Sequence, residues 1–481
     1  YIDTWQSFNS FIPASLPDEL SRKIASHYSD CLRRQPWMHD MVEFAIAFTC
    51  LDFAFDINST RLGDAGFSSD EIALLKEGLR ALTDDLVAGK RVPIRGELDQ
   101  LDEMNRRRNR VMEVAPTDTS ELGHRLTLLL ADCRRHGTLP FSNLARHAFI
   151  ASSLMESLVT RGVFQAADVE MMKSNLPTVA HDIARTMTDA VTGDEARSAF
   201  LDQYGHLRPG TYDILSPSYD ESPDIYLSES HANGGLSVRD CDPRKFDELF
   251  LSRQAVINSL CHEQGFTFDA RQLVTYIRDA IPAREKAKFE FTKNISQALK
   301  TISQIGEAQG LERDALSFLP VDRFQEVSTV SPKFATPHLW QREIETNRKY
   351  FDLARAMHMP PVICDGSDIT SFSVSASWPN FITSGKVSAP VVVLSHEAFP
   401  ESLDGCIVVV ENADPGYDWI FSRNIAGLVT KYGGVASHMA IRCAEFGLPA
   451  AIGCGEIHYD KVINAGKLVI DCAQRTLTPI D

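Results

Sequence analysis

The chain has 481 residues, with 48 Lys+Arg against 65 Asp+Glu and a formal charge of −17. An acidic balance argues against nucleic acid or an anionic membrane as main partner, since both demand local positive charge. With 44% hydrophobic and 23% charged residues, the composition is that of a globular protein of roughly two to four domains.

Ten cysteines without a C-x-x-C pair or zinc spacing read as reduced thiols of a cytoplasmic protein with no metal site. The apolar runs Ala389–Leu394 and Cys406–Val410 fall far short of the ~20 residues that span a bilayer. The opening Tyr1-Ile2-Asp3-Thr4 has neither initiator Met nor signal pattern. A longer parent protein is expected.

Apolar spacing predicts a helix over His39–Phe53, and the overlapping stretch Trp37 to Phe44 forms a polar cluster around His39. Ser68-Ser69-Asp70-Glu71 has capping-box form. Ile72, Leu75, Leu79, Leu82 and Leu86 follow at helical steps, with Gly89 placed to stop the helix. The basic run Arg106–Arg110 reads as a solvated face. Further helices are predicted over Leu122–Arg135, Phe149–Val159 and Arg284–Gly306, and a second polar cluster, Phe141 to His147, contains Arg146. Charges at helical spacing in Arg284-Glu285-x-x-Lys288-x-Glu290-x-x-Lys293 are most simply an ion-paired, solvated face.

Two breaks interrupt this helical part. Tyr204–Gly235 holds Pro209, Gly210, Pro217 and Pro223, and a loop of that length inside a helical domain is often functional. Its His206 and Arg208 supply a candidate base and a cation. Asp213 would orient them, and Arg208–Asp213 bracing is the plainer alternative. The second break reads as a hinge over 359–380. It separates a helical domain, 1–358, from a small α/β domain, 381–481. Strands are expected there at Ala389–Ser395, Gly405–Glu411, Gly427–Thr430, Ala450–Gly453 and Lys467–Asp471, with a helix over His438–Phe446.

The most informative stretch is Thr430-Lys431-Tyr432-Gly433-Gly434-Val435-Ala436-Ser437-His438-Met439-Ala440-Ile441-Arg442. Gly433 and Gly434 let the backbone turn after a strand, and Ser437 is a good N-cap. His438 then stands at the positive end of a helix. That end favours a phosphoryl group on the ring and disfavours the imidazolium, so a neutral, nucleophilic ring is expected near pH 7.

This stretch, the following Gly447-Leu448-Pro449-Ala450 and the upstream Asp414-Pro415-Gly416-Tyr417-Asp418-Trp419 resemble the swivelling phosphohistidine domain of the phosphoenolpyruvate synthase and pyruvate phosphate dikinase family. The likeness implies that His438 is phosphorylated transiently and passes the group on, supported by Thr430, Gly433, Gly434 and Ser437. The family's usual A-R-E reads Cys443-Ala444-Glu445 here, and an arginine stands at Arg442 instead. Two residues turn a side chain about 200° around a helix, so that arginine's role does not carry over. Arg442 is open to a phosphoryl contact or to a plain ion pair.

The order helical domain, hinge, phosphohistidine domain resembles the rifampin phosphotransferase branch. There the helical domain binds the acceptor, and the Tyr204–Ile214 loop is similar to that branch's Y-G-H-R-G-x-G-E-x-D-I segment. Leu207, Pro209 and Thr211 depart from it, which implies a different small-molecule acceptor, with His39 and Arg146 as further candidate contacts. The resemblance extends to capsule-associated glutamine kinases and so to the amide of L-glutamine. It also implies ATP and Mg²⁺ bound by an ATP-grasp domain expected upstream, because no Gly-Lys here is followed by Ser or Thr. The chain would thus be incomplete on its own. Pyruvate phosphorylation and a non-catalytic binding protein with a degenerate swivel domain are the alternatives. Only seven basic residues against thirteen acidic ones lie in 361–481, so phosphate stabilisation must come from local amides and single cations.

Overall fold

A computed structural model describes residues 3–39, 41–227, 241–328, 337–357, 359–360, 362–370, 379–394, 400, 402–434 and 437–480. Asp40, residues 228–235 of the first break, 371–378 of the hinge, and Val435 and Ala436 of the glycine turn lie outside these. The chain is mostly helical with a C-terminal α/β domain.

The capping box forms as written: Ser68 Oγ accepts from Glu71 N at 3.2 Å and Glu71 Oε2 from Ser68 N at 2.7 Å. The helix Ser69–Val87 follows, and Gly89 takes φ +66° beyond it. The predicted helix over Leu122–Arg135 is Thr119–Cys133 followed by a π-turn over Arg134–Thr138, and that over Phe149–Val159 falls within Leu139–Thr160.

His39–Phe53 is not one helix. A π-turn over Val42–Ile46 gives way to irregular chain. Phe48 N donates to Tyr28 Oη, Leu51 N to Thr83 Oγ1 and Phe53 N to Ser157 Oγ. Side chains of three neighbouring helices thus replace the helical ladder, and Val42, Phe44, Ile46, Phe48, Thr49 and Phe53 are weak helix formers. The segment contributes Ile46, Leu51 and Phe53 to the main core instead.

The helix Ala270–Ala308 is the axis of the molecule, capped by Asp269. It packs against Leu139–Thr160, Thr119–Cys133 and Ile94–Glu113, and reaches the C-terminal domain through Phe289.

The C-terminal domain is a seven-stranded sheet in the order β1-β5-β4-β3-β2-β6-β7. Its strands are β1 Asn380–Ile382, β2 Lys386–Val393, β3 Ile407–Asn412, β4 Gly427–Tyr432, β5 Ala450–Ile452, β6 Lys467–Asp471 and β7 Thr476–Ile480. β2 to β5 run parallel, and β3 and β4 carry the buried apolar runs that such strands require. The five predicted strands are present. β1, β7 and the helix Gly455–Ile463 are additional to the prediction.

One apolar core crosses between the domains. Ile183, Phe200, Tyr219 and Tyr226 of the helical part pack with Trp419, Phe421 and Met439 of the α/β part.

Candidate functional site

The site lies where β4 ends and the helix His438–Phe446 begins, at the carboxyl edge of the parallel strands, where open α/β sheets place ligands. Gly433 takes φ +131°, and a Cβ there would stand 2.6 Å from Ala413 Cβ, so the turn needs glycine. Thr430 Oγ1 accepts from Gly453 N at 2.9 Å and ties this turn to the one after β5. Gly434 follows Gly433 in the same turn, partly exposed. Ser437 Oγ accepts from Ala440 N and starts the helix, so His438 is its first residue.

His438 is 5% exposed and sits between two carboxylates. Its Nδ1 is 3.1 Å from Oε1 of Glu285, on the long helix of the other domain. Its Nε2 is 2.9 Å from Asp418 Oδ1 at an angle that makes no hydrogen bond. Burial alone would push the imidazole pKa down. Asp418 and Glu285 outweigh it and lift the pKa to about 9. The ring here is an imidazolium, which corrects the neutral ring expected from the helix end. A helix terminus is worth only about 0.3–1 kcal/mol, less than one pKa unit, and two carboxylates in contact exceed it.

Arg442, 1% exposed, is held in a plain ion pair here. Its Nε donates to Asp418 Oδ1 at 3.0 Å and its Nη1 to Glu445 Oε2 at 2.8 Å, with the guanidinium against Phe421 and Phe446. Glu445 in turn accepts from Thr178 Oγ1 at 3.0 Å and lies 3.3 Å from His181 Nδ1, both in the helical domain. Burial works against the Glu445 carboxylate, yet His181 and Arg442 hold its pKa at about 2.

The charged face predicted over Arg284–Lys293 is only half solvated. Lys293 pairs with Glu290 at 3.0 Å, but Glu285 is buried against His438, and burial lowers the pKa of Arg284 and Lys288. This helix lies between two domains, so residues one or two positions apart meet different neighbours.

Beside the clamp opens a cleft of about 1500 Å³ lined by Thr178, His181, Tyr204, His206, Lys286 and Phe289 among others. Phe289 forms the wall, its ring edge-on to His438 at 5.4 Å between centroids. Five Arg and Lys and six Asp and Glu side chains also face the cleft. His206 is partly buried, its Nε2 3.1 Å from the Phe289 carbonyl oxygen, and desolvation of the ring holds its pKa well below 6.5, so the ring is neutral.

The other sequence candidates lie elsewhere. Arg208 bonds Ser216 O at 3.0 Å, Ser296 Oγ at 3.1 Å and Glu221 Oε2 at 3.3 Å, and does not face the cleft. Asp213 accepts from Leu215 N at 2.9 Å and leaves Arg208 to Glu221. Exposed His39 has Nδ1 3.0 Å from Pro36 O, and Arg146 bonds Ser10 O over the ring of Phe11. Neither reaches the cleft. The Tyr204–Leu227 loop instead cradles the D-P-G-Y-D-W segment. Thr211 Oγ1 donates to Asp414 Oδ2 at 2.6 Å and Tyr219 Oη to Gly416 O at 2.9 Å, and Arg423 reaches the carbonyls of Ile225 and Tyr226.

Sequence reasoning missed Glu285, Asp418, Glu445 and His181. Asp418 and Glu445 each had a signal, as acids inside recognised segments.

Residues 402–475 match the family of the PEP-utilising enzyme, mobile domain. The chain is 25% identical over 290 residues to rifampicin phosphotransferase of Streptomyces sviceus, covering 54% of this chain and 32% of that one. It is 26% identical over 306 residues to that of Bacillus subtilis, covering 58% and 33%. Against that of Bacillus cereus it is 27% identical over 303 residues, covering 58% and 32%. The chain therefore spans about a third of the length of the curated relatives it matches. No described helix is long and apolar enough to cross a membrane, and no group of three His, Cys, Asp or Glu among the described residues could hold a metal ion.

Proposed function

We propose that this chain, a member of the PEP-utilising family on its rifampicin-phosphotransferase-like branch, binds a phosphoryl acceptor in its helical domain and delivers to it a phosphoryl group carried on His438. The overall reaction would be ATP, acceptor and water to AMP, phosphate and phosphorylated acceptor. The observation that carries this reading is the seating of His438, on a domain of its own, against Glu285 and beside the cleft of the other domain. ATP would supply the phosphoryl group. An ATP-grasp domain, as the family resemblance implies, is the expected partner for loading His438.

The clamp gives the transfer its chemistry. Whichever nitrogen carries the phosphoryl group, a carboxylate faces the other and keeps a proton on it. The ring then departs as neutral imidazole and not as imidazolate. His206, neutral and on the cleft, is the base suited to take the acceptor's proton as the new bond forms. Once that proton reaches the freed nitrogen, the imidazolium stands between Glu285 and Asp418, as it does here. When the carrier leaves, Glu285 stays behind on the long helix. The ring then loses one of its two carboxylates, sheds its proton more readily and is a nucleophile again.

The charged cleft favours a small polar acceptor, because an apolar ligand would strip water from charged side chains and offer them no hydrogen bond in return. The amide nitrogen of L-glutamine is the first acceptor to try. The test is to incubate the full-length protein with ATP labelled at the β-phosphate and look for acid-labile label on His438 that added acceptor removes. Label that persists in His438→Ala would overturn the reading.

A further inference from the structure

We propose that Arg442 is a positioning residue for His438, acting through Asp418, and that Glu445 ties it to the helical domain through Thr178 and His181, so that seating of the carrier is felt at the imidazole. The inference rests on the phosphotransfer reading above but adds residues that never touch the reacting atoms.

A chain of alternating charge runs through the interface. His181 Nδ1 lies 3.3 Å from Glu445 Oε1, and Glu445 Oε2 accepts from Arg442 Nη1 at 2.8 Å. Arg442 Nε donates to Asp418 Oδ1 at 3.0 Å, and the same oxygen lies 2.9 Å from His438 Nε2. Every link is buried or nearly so: the side chains of Asp418, Arg442, His438 and Glu445 are 0%, 1%, 2% and 7% exposed. In such surroundings a carboxylate is fixed by its partners and not by water. Among the described residues Asp418 has no cation in contact besides Arg442 and the ring it holds, and its second oxygen has no hydrogen-bond partner among them. Arg442 therefore sets where Asp418 points.

The fork geometry matters as much as the charge. One guanidinium spans both carboxylates from neighbouring nitrogens, while Phe421 at 5.1 Å and Phe446 at 4.4 Å from its central carbon confine its plane. A lysine ammonium offers a point charge without that fork. Three links of the chain, Asp418, Arg442 and Glu445, travel with the carrier, whereas Thr178 and His181 stay in the helical domain. Thr178 Oγ1 and His181 Nδ1 both meet Glu445 Oε1 across the domain boundary, so departure of the carrier would break both contacts.

The test separates positioning from charge and from bulk. In the full-length protein, Arg442→Lys keeps the charge and loses the fork. Phosphoryl transfer to the acceptor should fall about 100-fold in kcat, as for a misplacement near 1 Å, with the acceptor KM unchanged. Turnover of Arg442→Lys within about twofold of wild type would overturn the positioning role. Should that variant lose its cooperative melt, Thr178→Val decides, since it removes one hydroxyl from the other domain and leaves the carrier intact. Discharge of phospho-His438 to the acceptor should then slow about tenfold while loading from ATP keeps its wild-type rate. Equal rates for both half-reactions would overturn the tie to the helical domain. Absence of label on wild-type His438 would count against the phosphotransfer reading itself, whereas normal labelling with a fully active Arg442→Lys counts against the relay alone.

Discussion

Glu285 Oε1 lies 3.1 Å from His438 Nδ1 across 153 residues of sequence and the boundary between two domains. On the proposed function the contact would exist only while the carrier is seated, so that Glu285 would act on the ring in one place and not in another. Glu285→Gln keeps an oxygen that can accept from Nδ1 and removes the charge. The His438 pKa should fall from about 9, and transfer to the acceptor should slow by about 100-fold, within the usual range for general acid–base groups. Loading of His438 by ATP should be unaffected. Carbon-13 histidine titration and single-turnover labelling read the two effects separately, and a ring pKa that stays put would remove Glu285 from the clamp.

Stability should depend on pH from both sides. His438, near 9 folded against 6.5 for a free imidazole, binds its proton more tightly in the native protein. Its stabilisation is complete below pH 6.5 and is lost as pH rises through 9. His206 runs the other way, because burial depresses its pKa: its contribution is present above pH 6.5 and is lost as pH falls below it. Glu445, held at about 2 against 4.5, contributes above pH 4.5 and loses that as pH falls toward 2. Thermal melts from pH 5 to 9.5 should therefore peak at about pH 6.5. His438→Gln should flatten the alkaline decline, and an unchanged alkaline slope in that variant would count against the clamp.

What could be read in the sequence divides along physical lines. β3 and β4 were legible because parallel strands buried on both faces are near-continuous apolar runs. The turn before His438 was legible because its glycines and Ser437 act locally. Glu285 was not, since one helix face looks the same whether water or a second domain covers it, and only the tertiary fold puts His438 there. Arg108, in a run read as solvated, likewise turns inward to Asn105 and Asn294 while its neighbours pair with Glu103. The His39–Phe53 segment misled for a related reason: its apolar spacing was real, but Tyr28, Thr83 and Ser157 took the backbone donors that a helix would have used.

Thr430 is fully buried beneath the glycine turn, and its hydroxyl is the acceptor for Gly453 N at 2.9 Å. Thr430→Val keeps the shape and leaves that amide unpaired, at a cost of about 1–3 kcal/mol. Gly453 packs so near Gly433 that a Cβ on it would stand 2.2 Å from the Gly433 carbonyl oxygen, so the loss should loosen the turn that presents His438. Chemical denaturation should report the destabilisation, and Thr430→Ser, which retains the hydroxyl, should recover most of it. Equal losses in the two variants would assign the effect to packing.

Gly416 tests the cradle. A Cβ built on it would lie 1.7 Å from the carbonyl oxygen of Arg208 and 2.5 Å from Pro209 N, far inside van der Waals contact. The opposing backbone cannot easily yield, because Arg208 is anchored to Ser216, Glu221 and Ser296. On the carrier side, Gly416 belongs to a turn capped by Asp414, which is itself held by Thr211. Gly416→Ala should therefore unseat the carrier and leave each domain's own sheet or helices intact. Trp419, 4% exposed beside Tyr226, would then meet water, giving a red-shifted tryptophan emission with unchanged far-ultraviolet circular dichroism. Acceptor turnover should fall while His438 is still labelled by ATP. A Gly416→Ala protein with wild-type emission and turnover would mean that the loop over Tyr204–Leu227 is not what seats the carrier.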